Sequence, residues 1–320
     1  MVRVGQPPAD IEPTPEFDRL CMEVINTWER GELPFKEAIA YLSDYHQEAA
    51  HSHHIPNQGR AEHLLGFLQH YRGNLNTSIK HYERARSLYM QAGNRKRAAI
   101  IDLNQGENYR FKGDFTRARR LYRAAYEIAN ELGDIRVQTI ASVNEGLVLL
   151  TTGQPAHARH ALEEGLRLSE FWVEHLDQLP SLLCEIYHGL AEIHLGEGQP
   201  AAAWQMALQA LEAAHHGNQP LQRGYANRTM GEVVAKLGGA PDEGFSNEPD
   251  EYFRAALDAF KEINAEAELA RTMFAQAQAL AKQGRRTSAA RKLQQVMIIF
   301  TQLGMVDDAA RAAEAQLALL

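Results

Sequence analysis

The sequence predicts an all-α solenoid of about seven helix-turn-helix repeats plus a C-terminal capping helix. Three observations carry that prediction. Seven glycines, Gly31, Gly73, Gly113, Gly153, Gly198, Gly238 and Gly284, fall in Gly-plus-polar turns separated by 42, 40, 40, 45, 40 and 46 residues, a fixed period that marks a repeat array. A second set, Gly93, Gly133, Gly217 and Gly304, follows 20, 20, 19 and 20 residues after members of the first, so each unit reads helix, turn, helix, turn. Alternating β-branched runs bounded by turns are missing from the sequence, while its 47 alanines favour helix and close packing.

The elements follow in chain order. Residues 1–15, with Pro7, Pro8, Pro13 and Pro15, read as an extended arm. The solenoid spans 16–303, with repeats at about 16–55, 59–97, 99–137, 139–178, 182–220, 224–266 and 270–303. Pro155 and Pro200 each lie two residues after a turn glycine, where a fixed φ suits the first turn of a helix. Pro56, Pro180 and Pro220 fall between repeats. "GAPDEGFSNEPDE" after Gly238 is an insertion of about six residues, and Pro249 opens the helix that follows it. Residues 305–320, "MVDDAARAAEAQLALL", form an amphipathic helix with Asp307 and Asp308 in the first turn, where the helix dipole favours them. Its expected role is to cap the last apolar face; self-association through it is the alternative.

Positions inside the unit recur as well. Seven residues before the turn glycine stand Gly66, Gly106, Gly146, Ala191, Gly231 and Ala277; five after it stand Ser78, Ala118, Ala158, Ala203 and Ala289. Twelve after it come Ala85, Ala125, Gly165 and Ala210, and nine after it the larger Tyr82, Tyr122 and Leu162. Small residues at such spacings let two helices approach while one large residue fills the gap. The pattern, clearest in "LLGFLQHYRGNLNTSIKHYERA" (64–85) and "NQGENYRFKGDFTRARRLYRAA" (104–125), resembles the tetratricopeptide repeat. A period near 40, without the tryptophan and final proline of the short consensus, is similar to the long-helix branch found in kinesin light chains, bacterial peptide-pheromone receptors and maltose-activator-like regulators. The resemblance implies a right-handed superhelix whose first helices line a concave, peptide-binding surface.

Composition excludes several classes. The chain has 320 residues, is 45% hydrophobic and carries a net charge of −8, which is the composition of a folded protein. Cys21 and Cys184 make no disulfide framework or metal spacing. The longest apolar runs, such as Val296–Phe300, are core-sized, so no membrane span is expected. "MVRVGQPPADIEPTPEF" has no apolar centre, so no signal peptide is expected either, and a cytoplasmic protein is the reading. Residues 1–160 hold 20 basic and 19 acidic residues, whereas 161–320 hold 13 and 22. The basic stretch Arg95–Arg123 includes Arg117, Arg119, Arg120 and Arg123, which ring one helix and so read as solvated surface. With mild overall acidity and few interleaved aromatics, nucleic acid is disfavoured as a partner.

Chemistry-bearing motifs are sparse. Seven of the fourteen histidines lie between His46 and His81, including His51, His53 and His54, but no carboxylate or cysteine stands at a specifying interval, so no metal is expected. His157, His160 and Glu164 share a face of a second helix, expected on the convex side. Cys184 and His188 lie one turn apart on an apolar helix, where burial leaves a thiol inert. No GxSxG, HExxH, P-loop or GxGxxG stands in its required context. No enzyme and no cofactor are expected.

The groove is therefore where function is expected. Nine residues before the turn glycine stand Asn104 and Asn144, and in the resembling family an asparagine at this place binds a peptide backbone; an amide offers both a donor and an acceptor. The alternative is that these asparagines bond to the neighbouring helix. The same register puts Arg60, His63, Phe67, His70 and Tyr71, then Glu107, Arg110 and Phe111, then Ile140, Val143, Leu147 and Leu150 on the concave face. Glu185, Glu192, Tyr225, Arg228 and Glu232 follow, so the groove grades from basic and aromatic through apolar to acidic. The expected function is a protein–protein interaction scaffold binding a peptide or protein segment. A peptide-sensing receptor acting on an effector in trans is the alternative.

Overall fold

The computed structural model describes residues 11–172, 179–217 and 219–319. They form fifteen helices and no strand: α1 (Pro15–Glu29), α2 (Phe35–His51), α3 (Ile55–Tyr71), α4 (Leu75–Gln91), α5 (Arg95–Phe111), α6 (Phe115–Leu132), α7 (Ile135–Thr151), α8 (Pro155–Ser169), α9 (Leu179–Gly196), α10 (Pro200–Gly217), α11 (Pro220–Leu237), α12 (Pro249–Glu262), α13 (Glu266–Lys282), α14 (Arg286–Leu303) and α15 (Val306–Leu317).

Helix pairing follows from side-chain size. A Cβ added at Gly66 would stand 2.6 Å from the Tyr82 ring, one at Gly146 2.9 Å from Leu162, and one at Gly231 2.9 Å from Phe253. Phe253 takes the place of Tyr82 in its own repeat once the insertion before α12 is passed over. The turn glycines adopt left-handed backbone, with φ between +71° and +82° for the seven of the first set, which costs a residue with Cβ more than it costs glycine. His53 (φ 55°) and Asn264 (φ 54°) take the same conformation in the α2–α3 and α12–α13 turns. Gly217 differs from the other glycines of its set: it is the last residue of α10 and has the Gln222 side chain against it.

Odd-numbered helices form the inner layer. Consecutive odd helices touch one another from α1 through α15, so α7 buries Val137, Thr139, Val143, Gly146 and Val148 around its circumference, whereas α8 buries a stripe of Ala158, Leu162, Gly165 and Leu168. The even helices splay outward, and the wall curves. It curves far enough to meet itself. Helix α13 touches α3, and α15 touches α5, each five repeats on. Arg72 and Glu266 pair at 2.7 Å across this seam, Leu303 sits against Gly73, and Asp307 sits against Gly113. The Arg271 guanidinium lies 3.6 Å from the centre of the Phe111 ring. One core cluster runs from Trp28 and Leu68 to Ala210, Tyr225 and Phe260.

The flanking pieces are tied down by the same means. Of the proline-rich arm, residues 1–10 lie outside the described residues. Residues 11–14 are held by two asparagines: Asn94 donates to the Ile11 carbonyl at 2.8 Å, and the Thr14 N–H donates to Asn57 at 2.9 Å. Arg97 holds Glu12 at 2.5 Å. The insertion packs on α10, where Trp204 Nε1 donates to Asp242 at 2.7 Å and Phe245 meets the indole edge-on at 5.2 Å. Helix α15 packs on α13, α14 and α5 of its own chain.

Candidate functional site

Closure of the superhelix divides the concave face into a filled part and an open one. Arg60 pairs with Asp18 at 2.5 Å and lies 3.4 Å from His63 Nδ1, and His63 Nε2 is hydrogen-bonded to the Asn104 amide at 2.7 Å. Burial, with Arg60, Arg97 and Arg136 nearby, drives the His63 pKa well below its ordinary value, so the ring is neutral. Asn104 thus spends a hydrogen bond on the neighbouring inner helix. Phe67 and Tyr71 pack on Trp28 at 6.0 and 5.8 Å, and Tyr71 neighbours Tyr225 across the interior. His70 Nδ1 donates to Asn108 at 2.8 Å and its ring faces Phe111 at 4.8 Å. Asn144 is buried on α7, and Val143 points into Gly165 on α8 and away from the interior, contrary to the groove register.

The open part lies among the later repeats. A cavity of about 470 Å³ is walled by α5, α7, α9, α11, α13 and α15. Of the residues expected on the concave face, Arg110, Leu147, Leu150, Glu185, Glu192, Tyr225, Arg228 and Glu232 line it; Arg60, His63, Phe67, His70, Tyr71, Asn104, Glu107, Phe111 and Asn144 do not. Glu268, Arg271, Phe274, Asp308 and Arg311 complete the walls, brought there by closure. The sequence reading named none of these: Arg271 and Phe274 stand where Tyr225 and Arg228 stand in the preceding repeat, and Asp308 and Arg311 belong to the final helix, outside the repeat.

Charges in the cavity are strongly differentiated. Glu107 holds Arg110, and Glu268 holds Arg228 and, at 3.5 Å, Arg271. Arg271 also reaches Asp308 at 3.0 Å. Burial opposes ionisation of Glu268, but Arg228 and Arg271 outweigh it and hold the carboxyl down to about 2. Glu185 lacks such a partner: burial, with Glu107 and Glu268 adding repulsion, pushes it up to about 8 against the pull of Arg110 and Arg228. Burial likewise takes Glu232 up to about 7 and, with Arg228, takes His188 down to about 3. Two carboxyls on these walls therefore titrate near neutrality while a third is fixed as an anion.

Other clusters have local roles. His46 and His81 meet the buried Glu62 at 3.3 and 2.6 Å, joined by Arg84 at 3.6 Å. His54 caps α3 by accepting from the Asn57 N–H at 3.2 Å. His157 and His160 are exposed on α8, and Glu164 binds Arg167. Burial pushes the Cys184 thiol up to about 12, and His188 bonds Thr229 at 3.1 Å. Arg119 and Arg123 converge on Glu145. Among the described residues, no group of three or more His, Cys, Asp or Glu side chains is placed to hold a metal ion, and no helix is long and apolar enough to cross a membrane.

The sequence profile of the tetratricopeptide repeat matches residues 57–131 and 97–170, which are the α3–α8 pairs whose glycine–tyrosine and glycine–leucine contacts set the packing. These are tetratricopeptide repeats. Among curated protein sequences, none matches the chain. Solved tetratricopeptide-type structures match nearly its whole length. The Rap conjugation gene regulator of plasmid pLS20 in complex with the Phr* peptide has a TM-score of 0.69 at 17% identity, covering 92% of this chain and 75% of that one. A Rap protein complexed with competence and sporulation factor has a TM-score of 0.62 at 13% identity, covering 96% and 87%. NprR in complex with its cognate peptide NprX has a TM-score of 0.56 at 13% identity, covering 95% and 99%. At these identities the likeness is one of fold.

Proposed function

We propose that this protein is a non-enzymatic, peptide-sensing regulator that encloses a short peptide inside its tetratricopeptide superhelix. The observation that carries this reading is closure. The repeats leave a half-open cavity of about 470 Å³, surrounded by inner helices, in place of a long open trough. That volume lies within the roughly 300–1,000 Å³ of sites that surround a small ligand, and it suits a few residues of peptide better than a protein segment threading through. Two of the similar folds are solved with named peptides, Phr* and NprX, which supports a peptide as occupant. A ligand wedged between α7–α11 on one side and α13–α15 on the other bears on the seam with α3 and α5, so occupancy has a mechanical route to the outer surface. Among the groove residues expected from the sequence, those that line the cavity, from Arg110 and Leu147 to Glu185 and Glu232, are the proposed ligand contacts. The others pack within the walls.

Affinity selection tests the proposal. Immobilised protein is exposed to the sub-3-kDa fraction of host extract (about 25 residues or fewer), and what it retains is identified by mass spectrometry. A retained peptide that binds in calorimetry and changes the radius of gyration in small-angle scattering is the expected result. Binding without any change in shape supports the scaffold reading instead. Retention of intact proteins alone, with no peptide, sinks the enclosed-peptide proposal.

A further inference from the structure

The cavity carries an excess of uncompensated carboxyls on one wall. Its arginines are engaged: Arg110 with Glu107, Arg228 with Glu268, Arg271 with Glu268 and Asp308, and Arg311 with Asp308 at 3.7 Å. Between them, α9 presents Glu185, His188 and Glu192 along one face, and α11 presents Tyr225, Arg228 and Glu232 at the matching spacing, so that Glu192 stands level with Glu232. Glu185 and Glu192 make no hydrogen bond or ion pair among the described residues, and Glu232 meets only His188, at 3.4 Å. His188 is neutral, because burial and Arg228 together drive its pKa down to about 3. Lys236 and Lys282 stand at the mouth, both exposed, and neither bridges to Glu232.

We infer that this wall receives the cationic side chain of a lysine or arginine in the bound peptide, seated between Glu185 and the Glu192–Glu232 pair. The inference rests on the peptide-binding reading above and specifies its ligand. A partly buried carboxyl without a partner and a cation drawn out of water are each costly, and meeting in the cavity relieves both. An apolar or acidic peptide would leave the wall uncompensated or add repulsion. Burial, assisted by Glu107 and Glu268 and opposed by Arg110 and Arg228, raises Glu185 to about 8, so at pH 7 it holds a proton. An arriving cation displaces that proton into solvent as the pair forms, so binding is coupled to proton release.

The experiment uses an immobilised positional-scanning hexapeptide library as the probe, with the intact wild-type chain, the Glu185→Gln/Glu232→Gln double variant and a surface control, Glu127→Gln. Wild type and control are expected to enrich lysine or arginine about tenfold at one position, and the double variant to lose that enrichment. Proton release on binding of the selected peptide, measured by calorimetry at pH 7 in buffers of different ionisation enthalpy, is expected to vanish with it. Should the double variant melt early, Glu192→Gln, exposed on the same wall, takes its place. Peptides retained without a basic preference, or with a preference the variants keep, overturn the cation assignment and leave the peptide reading standing. A library from which nothing is retained overturns both.

Discussion

Gly66 illustrates how single residues set the spacing between helices. Its lack of a Cβ allows the Tyr82 ring to press against α3, with Ser78 Oγ donating to the Gly66 carbonyl at 2.7 Å beside it. Alanine is the better helix former by about 1 kcal/mol, yet at this site the added methyl stands 2.6 Å from a ring only 2% exposed. Overpacking wins, and Gly66→Ala is expected to destabilise by roughly 1–3 kcal/mol in denaturant unfolding. Tyr82→Leu in the same chain should recover part of the loss. At Glu268 the stakes are electrostatic. Glu268→Gln leaves two half-buried guanidinium groups facing each other, with an expected loss of about 3–5 kcal/mol.

The same carboxyls give the stability a defined pH profile. Glu268 is depressed from 4.5 to about 2, so its stabilisation is present above pH 4.5 and lost as pH falls toward 2. Glu185 is raised from 4.5 to about 8, so its contribution is present below pH 4.5 and lost as pH rises through 8. Melting temperatures should therefore decline less for Glu185→Gln than for the wild-type protein as pH rises from 4.5 to 8, and run parallel above it. Equal declines would mean that Glu185 is not the titrating group.

At the level of helices, inner and outer elements carry different burdens. Inner helices such as α7 are buried on nearly every face, so their pattern reads as apolar without a stripe; outer helices such as α6 bury only Ala118, Tyr122, Ala125 and Ala129. The repeat punctuation and this alternation are legible in sequence because both are local: a turn glycine and its packing partner lie within one helical hairpin. The role of α15 is less local. Its first turn reads as a cap, and it does cover Phe274 and Met305, but Asp308 also binds Arg271 and Asp307 meets Gly113 on α5. Deleting residues 306–320 is expected to do more than fray the last repeat. Hydrogen exchange should rise in α5 as well as in α13 and α14; protection unchanged in α5 would show that α15 is an end cap alone.

Over the whole molecule, closure converts a linear stack into a ring-like turn. Stability in an open solenoid comes from neighbour-to-neighbour interfaces, whereas here residues 194 positions apart, Arg72 and Glu266, share an ion pair. Both are more than a third exposed, so the pair contributes about 0.2–1 kcal/mol at most, enough to bias an opening without locking it. Arg72→Glu is expected to increase the radius of gyration in small-angle scattering at low salt, and Arg72→Glu with Glu266→Arg to restore it. No change in the single variant would place the strength of the seam in Phe111–Arg271 and Leu303–Gly73 instead.

Residue order alone was sufficient for the all-helical class and the seven hairpins, because both depend on spacings within about forty residues, and for the acidic second half, which is composition. It also pointed to Glu185, Glu192, Tyr225, Arg228 and Glu232 as interior side chains, and these line the cavity. It could not tell a filled stretch of groove from an open one. Asn104 against His63 and Phe67 against Trp28 look, in sequence, like concave contacts awaiting a ligand. Whether they have room for one depends on the superhelical curvature, a small rotation per repeat summed over five repeats and then fixed by α13 and α15 meeting α3 and α5. No local spacing encodes that sum, and so the place of the cavity was decided by contacts between distant repeats.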